Sequence, residues 1–174
     1  MVRLATIGYE DAAIADFLAT LLAAKINIVL DVRELPLSRR KGFSKTALAT
    51  ALAKESIEYR HFRALGDPKA GRDAAKAGHF SEFRKIYARH LKTLGAKDAL
   101  EKVSEIVASS NACLLCYERE PNHCHRSMIA EELAKLGLVK VVHLGVKVGQ
   151  HKNGGPKLWN RTRADTGQSA AAAK

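Results

Sequence analysis

The chain is predicted to be an α/β protein, a mostly parallel β-sheet with helices on both faces in a Rossmann-like three-layer architecture. Short β-branched or apolar runs alternate with segments whose apolar residues recur at helical spacing. Strands separated by helices need crossover connections, which lay the strands parallel and put helices on the sheet faces. The length, 174 residues, suits one domain with a real core and is short for two.

Each element has its own signal. Arg3 to Ile7 reads as the first strand, ended by Gly8, and Ile14, Phe17, Leu18, Leu21 and Leu22 then recur at helical spacing. Ile26 to Val32 is a second β-branched run that ends in charge, and Ser44 is an N-cap for a helix carrying Leu48 and Leu52. Ile57 to Phe62 alternates with charged residues, which predicts an edge or half-exposed third strand. Asp67 to Gly78, rich in Pro, Gly and charge, reads as a loop. Phe80, Phe83, Tyr87, Leu91 and Leu94 form one helical stripe, and Leu100, Val103 and Val107 form another. A buried strand at 112–117 precedes a helix from about 126 to 136, with Ile129, Leu133 and Leu136 on one side. Gly137 suits the left-handed residue beyond a helix end, and Val139 to Leu144 completes the series. The α/β domain is expected over 1–146. Residues 147–174 form a basic extension with Trp159 as its only large anchor, a basic arm over His151–Lys157 and a frayed end at Ser169–Lys174.

Composition narrows the partners. The formal charge of +11 favours anionic ligands through steering, and keeps nucleic acid among the candidates. Aromatic content is low, and no helix-turn-helix, RRM or finger signature is evident. No apolar stretch approaches a membrane span, so no membrane partner is expected. The first residues enter a strand without the basic start and apolar region of a signal peptide. Three cysteines without a regular framework fit reduced thiols, and the expected location is cytoplasmic. The oligomeric state leaves no mark in a single sequence.

In a parallel sheet every strand ends on the same edge, where open α/β folds bind ligands. The first strand delivers Thr6, Gly8, Tyr9 and Glu10; the second delivers Asp31 and Arg33, then Ser38, Arg39, Arg40 and Phe43. The fourth delivers Glu118, with His123, Cys124, His125 and Arg126 just beyond it. Arg33, Arg39 and Arg126 have guanidinium forks that match carboxylate or phosphate oxygens, and Arg126 sits near a helix N-terminus. Tyr9, Ser38, Lys69 and Arg72 complete this substrate-binding set. Asp31 could equally pair with Arg33 and pin the loop. Glu118, just past a buried strand, fits acid–base work, or orients Arg126.

Cys124, flanked by His123 and His125, has the setting of a reactive thiolate, but no arginine follows at phosphatase spacing. A structural or ligand-contacting thiol is the simpler reading. Cys116, His123, Cys124 and His125 invite a zinc site, yet their spacing matches no standard motif. Adjacent ligands crowd, Cys116 is expected to point into the packed sheet, and no metal is expected. Cys113 reads as a buried hydrophobe. The Leu65–Asp73 segment matches neither a Walker loop nor a dinucleotide fingerprint, and no cofactor is expected. It reads as a mobile lid with Lys69 and Arg72 reaching inward, or as a solvated connector.

Thr6-Ile7-Gly8-Tyr9, Asp31-Val32-Arg33 with Pro36-Leu37-Ser38-Arg39, Phe43-Ser44-Lys45, Leu65-Gly66 with Pro68-Lys69, and Leu115-Cys116-Tyr117-Glu118 with Cys124-His125-Arg126 resemble the DUF488 family over about residues 3 to 144. The resemblance implies an α/β domain whose motif residues form one pocket, and supplies no reaction. Asp67 stands where related sequences often carry a small or neutral residue, which implies a different preference for the lid-like loop.

The leading expectation is an enzyme, a hydrolase or transferase, acting on a phosphate-bearing or nucleotide-like substrate. Arg33, Arg39 and Arg126 hold the anion, Asp31 or Glu118 transfers a proton, and His125 orients or assists. The alternatives are a non-catalytic nucleic-acid-binding module and a small-ligand sensor.

Overall fold

In a computed structural model that describes residues 2–135 and 139–152, five strands form one parallel sheet in the order β3-β2-β4-β1-β5. They are β1 (Val2–Gly8), β2 (Ile28–Asp31), β3 (Glu58–His61), β4 (Ala112–Cys116) and β5 (Val139–Leu144). The helices are α1 (Ile14–Ala23), α2 (Lys45–Lys54), α3 (Lys69–Lys76), α4 (Phe80–His90), α5 (Leu94–Ser109) and α6 (His125–Lys135). Leu136, Gly137, Trp159 and the tail from residue 153 lie outside the described residues.

Alternation along the strands builds two cores. Leu4, Ile28, Leu30 and Leu114 face Phe83 and Tyr87 of α4, Val103 of α5, and Ile129 and Leu133 of α6. Their neighbours Ala5, Ile7, Val29, Cys113 and Leu115 face Phe17 and Leu21 of α1 and Leu48 and Leu52 of α2. Side chains alternate faces with a period of two, so one strand serves both layers. The central strands are largely buried on both faces, and β3, at one edge, alternates exposed and half-buried residues as its charged residues predict.

The strand order locates the ligand edge. From β1 through β2 to β3 the chain steps one way across the sheet; from β3 through β4 to β5 it steps back. Crossovers of one hand then lie on opposite faces. The loops after β1 and β2 therefore lead to one helical layer, and the loop after β4 leads to the other. A crevice opens where neighbouring loops part, beside the carboxyl end of β4.

Two expectations are corrected. Asp67 to Gly78 is not a loop throughout, because α3 spans Lys69–Lys76. Ala70, Ala74 and Ala75 favour the helix, Lys69 pairs with Asp73 four residues on, and Gly78 closes it at φ 76°. Proline and glycine here mark the ends of a helix, not its absence. Leu94 does not extend the Phe80 stripe: α4 ends at His90, and Leu94 opens α5 with its side chain largely exposed.

Residues 149–151 are tied to α1. Asp16, buried on α1, accepts hydrogen bonds from the backbone N–H of Gly149 (3.0 Å) and His151 (3.0 Å), and lies 2.7 Å from His151 Nδ1. The His151 backbone bond, with the ring contact next, holds the Asp16 carboxyl at about 2, below the usual 3.8. The unfolded chain takes up this proton first on acidification. The stabilisation is thus complete above about pH 4 and is lost as pH falls towards about 2. Unfolding midpoints recorded across this window should fall less in Asp16→Asn than in the parent; parallel curves would remove Asp16 from the acid response.

Candidate functional site

The crevice contains a cavity of about 820 Å³ whose lining includes Tyr9, Arg33, Ser38, Arg39, Cys116, Glu118 and His125. A smaller one of about 320 Å³ shares Glu118, His125, Asp67 and Arg72 with it and adds His123 and Cys124. Residues from the ends of β1, β2 and β4 and from α3 and α6 therefore meet in one place. Two glycines permit the approach. A Cβ on Gly8 would lie 1.8 Å from the carbonyl oxygen of Glu118, and one on Gly66 would lie 2.4 Å from the backbone nitrogen of Glu34. Neither neighbour is a flexible side-chain end, so only glycine fits.

Asp31 and Arg33 form a closed, buried network. Arg33 Nη2 lies 2.6 Å from Asp31 Oδ2, and Arg33 Nε donates to Asp31 Oδ1 at 2.9 Å. Arg33 Nη1 donates to Tyr9 Oη (2.9 Å) and to the carbonyl of Phe43 (2.8 Å), and Tyr59 Oη donates to Asp31 Oδ2 (2.6 Å). Burial opposes the charge on Arg33, but Asp31 outweighs it and holds the guanidinium charged. Burial and the Asp31 charge push the Tyr59 phenol up. Asp31 does not line the cavity, and its oxygens are occupied. The proton-transfer role expected for it is unsupported, and loop pinning accounts for the pair. Arg33 does line the cavity, but four of its five N–H groups are engaged, which leaves no free fork.

Arg126 departs furthest from expectation. It is fully buried and lines neither cavity. Its guanidinium donates to the carbonyls of Glu118 and Arg119 (3.0 Å for the latter), and Nε donates to Thr6 Oγ1 at 3.3 Å. A fork spent on backbone carbonyls shapes the loop after β4 and does not meet an anion. Lys69 likewise points outward, paired with Asp73 at 2.7 Å. Arg72 does face the cavities, held by the Glu34 carboxylate and the Asp67 carbonyl. Ser38 lines the larger cavity and its Oγ accepts from the backbone of Arg40 at 3.1 Å. Arg39 and Lys41 on the loop after β2, and Lys76 on α3, also line it. Among the described residues, none of these three side chains has a hydrogen bond.

The floor combines two thiols, an imidazole and two carboxylates. Cys116 Sγ lies 3.2 Å from Glu118 Oε2 and 3.7 Å from His125 Nδ1. Cys124 Sγ lies 4.0 Å from the same nitrogen, whereas His125 Nε2 lies 2.8 Å from the carbonyl of Val32. Cys116 is buried yet opens onto the cavity, so the expectation that it is lost in the packed sheet is not met. The crowding expected of adjacent Cys124 and His125 is also absent. Cys124 is extended (φ −131°, ψ 141°) and His125 begins α6, and this bend brings both side chains to one side.

Burial pushes the Glu118 carboxyl up to about 7, reinforced by the Cys124 sulfur. It also raises Cys116 above the usual thiol range. At Cys124 burial is outweighed by the hydrogen bond from Cys116 and the charges of His125 and Arg126, which hold that thiol well below its usual range. Burial opposes charge on His125 too, but the Cys124 sulfur and the Val32 carbonyl raise it to about 9. Tyr87 packs its ring 5.1 Å from His125 and donates to the carbonyl of Leu65 at 2.6 Å, fixing the turn that precedes Asp67.

Asp67 is the residue whose position was least expected. It is buried, lines both cavities, and its Oδ1 has no hydrogen-bond partner among the described residues. Burial pushes its carboxyl up to about 6, offset in part by the charges of His125 and Arg72. The signal was a carboxylate placed between Gly66 and Pro68, at the start of a segment that also carries Lys69 and Arg72.

The model of the family described as "Domain of unknown function DUF488" matches residues 13–133. The comparisons found no curated protein and no solved structure that matches the chain.

Proposed function

Since this chain belongs to the DUF488 family, whose description assigns no reaction, we propose from its own site that it is an enzyme acting on a phosphate-bearing, nucleotide-like substrate. The observation that carries this reading is the pairing of a cationic rim with a proton-handling floor in one cavity. Arg39, Lys41 and Lys76 supply positive charge at the mouth, while the carboxylates of Glu118 and Asp67 line the floor. Simple anion binding needs cations and no carboxylates facing the ligand; a hydrolase or transferase needs both.

The rim also carries apolar surface. Leu35, Leu37 and Tyr117 line the cavity and are 54%, 75% and 45% exposed. That surface suits the flat organic part of a nucleotide, with its phosphate towards the cations. In this reading the anion-holding role passes from Arg33 and Arg126 to Arg39, Lys41 and Lys76, with Arg33 and Arg126 as supports. All three cysteines are free, which fits a reducing compartment such as the cytoplasm. Among the described residues no helix is long and apolar enough to cross a membrane.

Thermal-shift screening against nucleotides, sugar phosphates and short oligonucleotides tests the proposal. At about a hundredfold excess over Kd a ligand adds roughly 2.7 kcal/mol, which raises the midpoint of a chain this size by roughly 5–10 °C. The best ligand should be turned over, and Arg39→Ala combined with Lys41→Ala and Lys76→Ala should abolish its shift. No shift from any phosphate compound, or equal shifts in parent and triple variant, would sink the reading. A shift confined to oligonucleotides, lost with salt and without turnover, would favour the binding module.

A further inference from the structure

The geometry points to a zinc-class divalent metal site formed by Cys116, Cys124 and His125 at the cavity floor. Their donor atoms lie within 4.8 Å of one another and all three residues are buried. With Zn–S near 2.3 Å and Zn–N near 2.0–2.1 Å, tetrahedral geometry sets donor separations of about 3.8 Å for S–S and roughly 3.6 Å for S–N. The two sulfurs lie 3.7 and 4.0 Å from His125 Nδ1, within a few tenths of an ångström of that edge. The three donor atoms thus lie on the scale of a single tetrahedral metal site.

The Val32 carbonyl, 2.8 Å from Nε2, occupies that nitrogen and leaves Nδ1 to meet a metal in exchange for its proton. Cys116 Sγ lies 3.7 Å from Nδ1 and 4.0 Å from Nε2, so a turn of the ring aims Nδ1 at the shared centre. Metal-binding histidines commonly donate their second N–H in this way, which fixes the tautomer. Arg126 holds the Glu118–Arg119 turn beside the donors, and Tyr87 packs on the ring.

Three further features distinguish this set from a chance cluster. Two thiolates neutralise a divalent ion, so the filled site adds no net charge to a buried place. Three protein donors leave one coordination position, and Cys116 and His125 line the cavity that can supply water or substrate to it. Asp67, a carboxylate lining both cavities, stands beside these donors, while its buried Oδ1, without a partner among the described residues, packs against Gly71. Thiolate and imidazole donors together select zinc over magnesium or calcium. The site does not depend on the phosphate reading and would stand with any substrate.

The test uses the full chain, reduced and stripped of metal, titrated with cobalt(II) alone and then with zinc(II). We expect one cobalt per chain, the intense visible bands of a tetrahedral ion with thiolate charge transfer, and displacement by zinc. Cys116→Ser and Cys124→Ser should each weaken binding by at least about a hundredfold, the upper end of what losing a mere supporting residue costs. Cys113→Ser, in the opposite helical layer, should bind as the parent does. If a serine variant fails to fold, the charge-transfer intensity of the parent still counts the thiolates. Octahedral cobalt only, uptake that survives loss of both cysteines, or no uptake by fully reduced protein would each overturn the site. These readouts involve no phosphate ligand, so the two proposals fail separately.

Discussion

Asp31→Ala should destabilise the fold by about 3–5 kcal/mol, the largest stability loss expected from any single change at this site. The carboxylate is fully buried and receives the Arg33 guanidinium, the Arg33 backbone N–H and the Tyr59 hydroxyl. Its removal leaves a guanidinium that is 5% exposed without a counter-charge and a phenol without its acceptor. The pair itself adds little over apolar residues of the same shape, because desolvation offsets the attraction; the cost comes from orphaning one partner. Asp11→Ala provides the contrast. Asp11 meets Arg40 at 3.1 Å in a largely exposed pair, whose loss should cost at most about 1 kcal/mol. Urea midpoints of both variants measure the difference. Equal shifts would mean that Asp31 and Arg33 do not close the strand end as described, and would reopen a functional role for Asp31.

The sheet was legible because burial imposes it on the sequence. Val29, Leu30 and Leu114 belong to strands buried on both faces, and such strands read as continuous apolar runs. The alternation of β3 likewise announced an edge. Strand order was not legible, since pairing is decided by contacts between segments far apart in the chain. The edge holding the site followed from parallelism alone, and Glu118, His125, Arg39 and Tyr9 do line one cavity there. What a residue type cannot reveal is which partner claims it. Arg126 has the chemistry of an anion ligand, but backbone carbonyls of a loop folded over Gly8 take its N–H groups. Cys116 was misjudged, and Asp67 passed over as a site residue, for the converse reason: only folding shows that one lines a cavity and the other has an oxygen without a partner among the described residues. The zinc-like grouping was visible as residues, but its geometry depends on the bend between Cys124 and His125, which spacing rules for regular motifs do not include.

Glu118→Gln should lower turnover of the substrate found by screening by roughly 10²–10⁴-fold, the usual contribution of a positioned acid or base. The amide keeps the size of the carboxyl and can still accept the hydrogen bond that Cys116 makes at 3.2 Å, so folding and the cavity wall should persist. It cannot exchange a proton, which isolates that function. A merely structural Glu118 predicts the reverse, a shifted unfolding midpoint with turnover intact. Two controls make the result specific. Ligand-induced thermal shifts in Glu118→Gln should remain, because the rim cations Arg39, Lys41 and Lys76 are untouched. Glu120→Gln, two residues further on the same loop, removes an exposed carboxylate that lines only the smaller cavity and should leave turnover nearly unchanged. If both variants retain full turnover, proton transfer lies with another group, and Asp67 becomes the carboxylate to replace next. If both lose it equally, the loss reflects the loop's charge and not a group positioned at the reacting atoms.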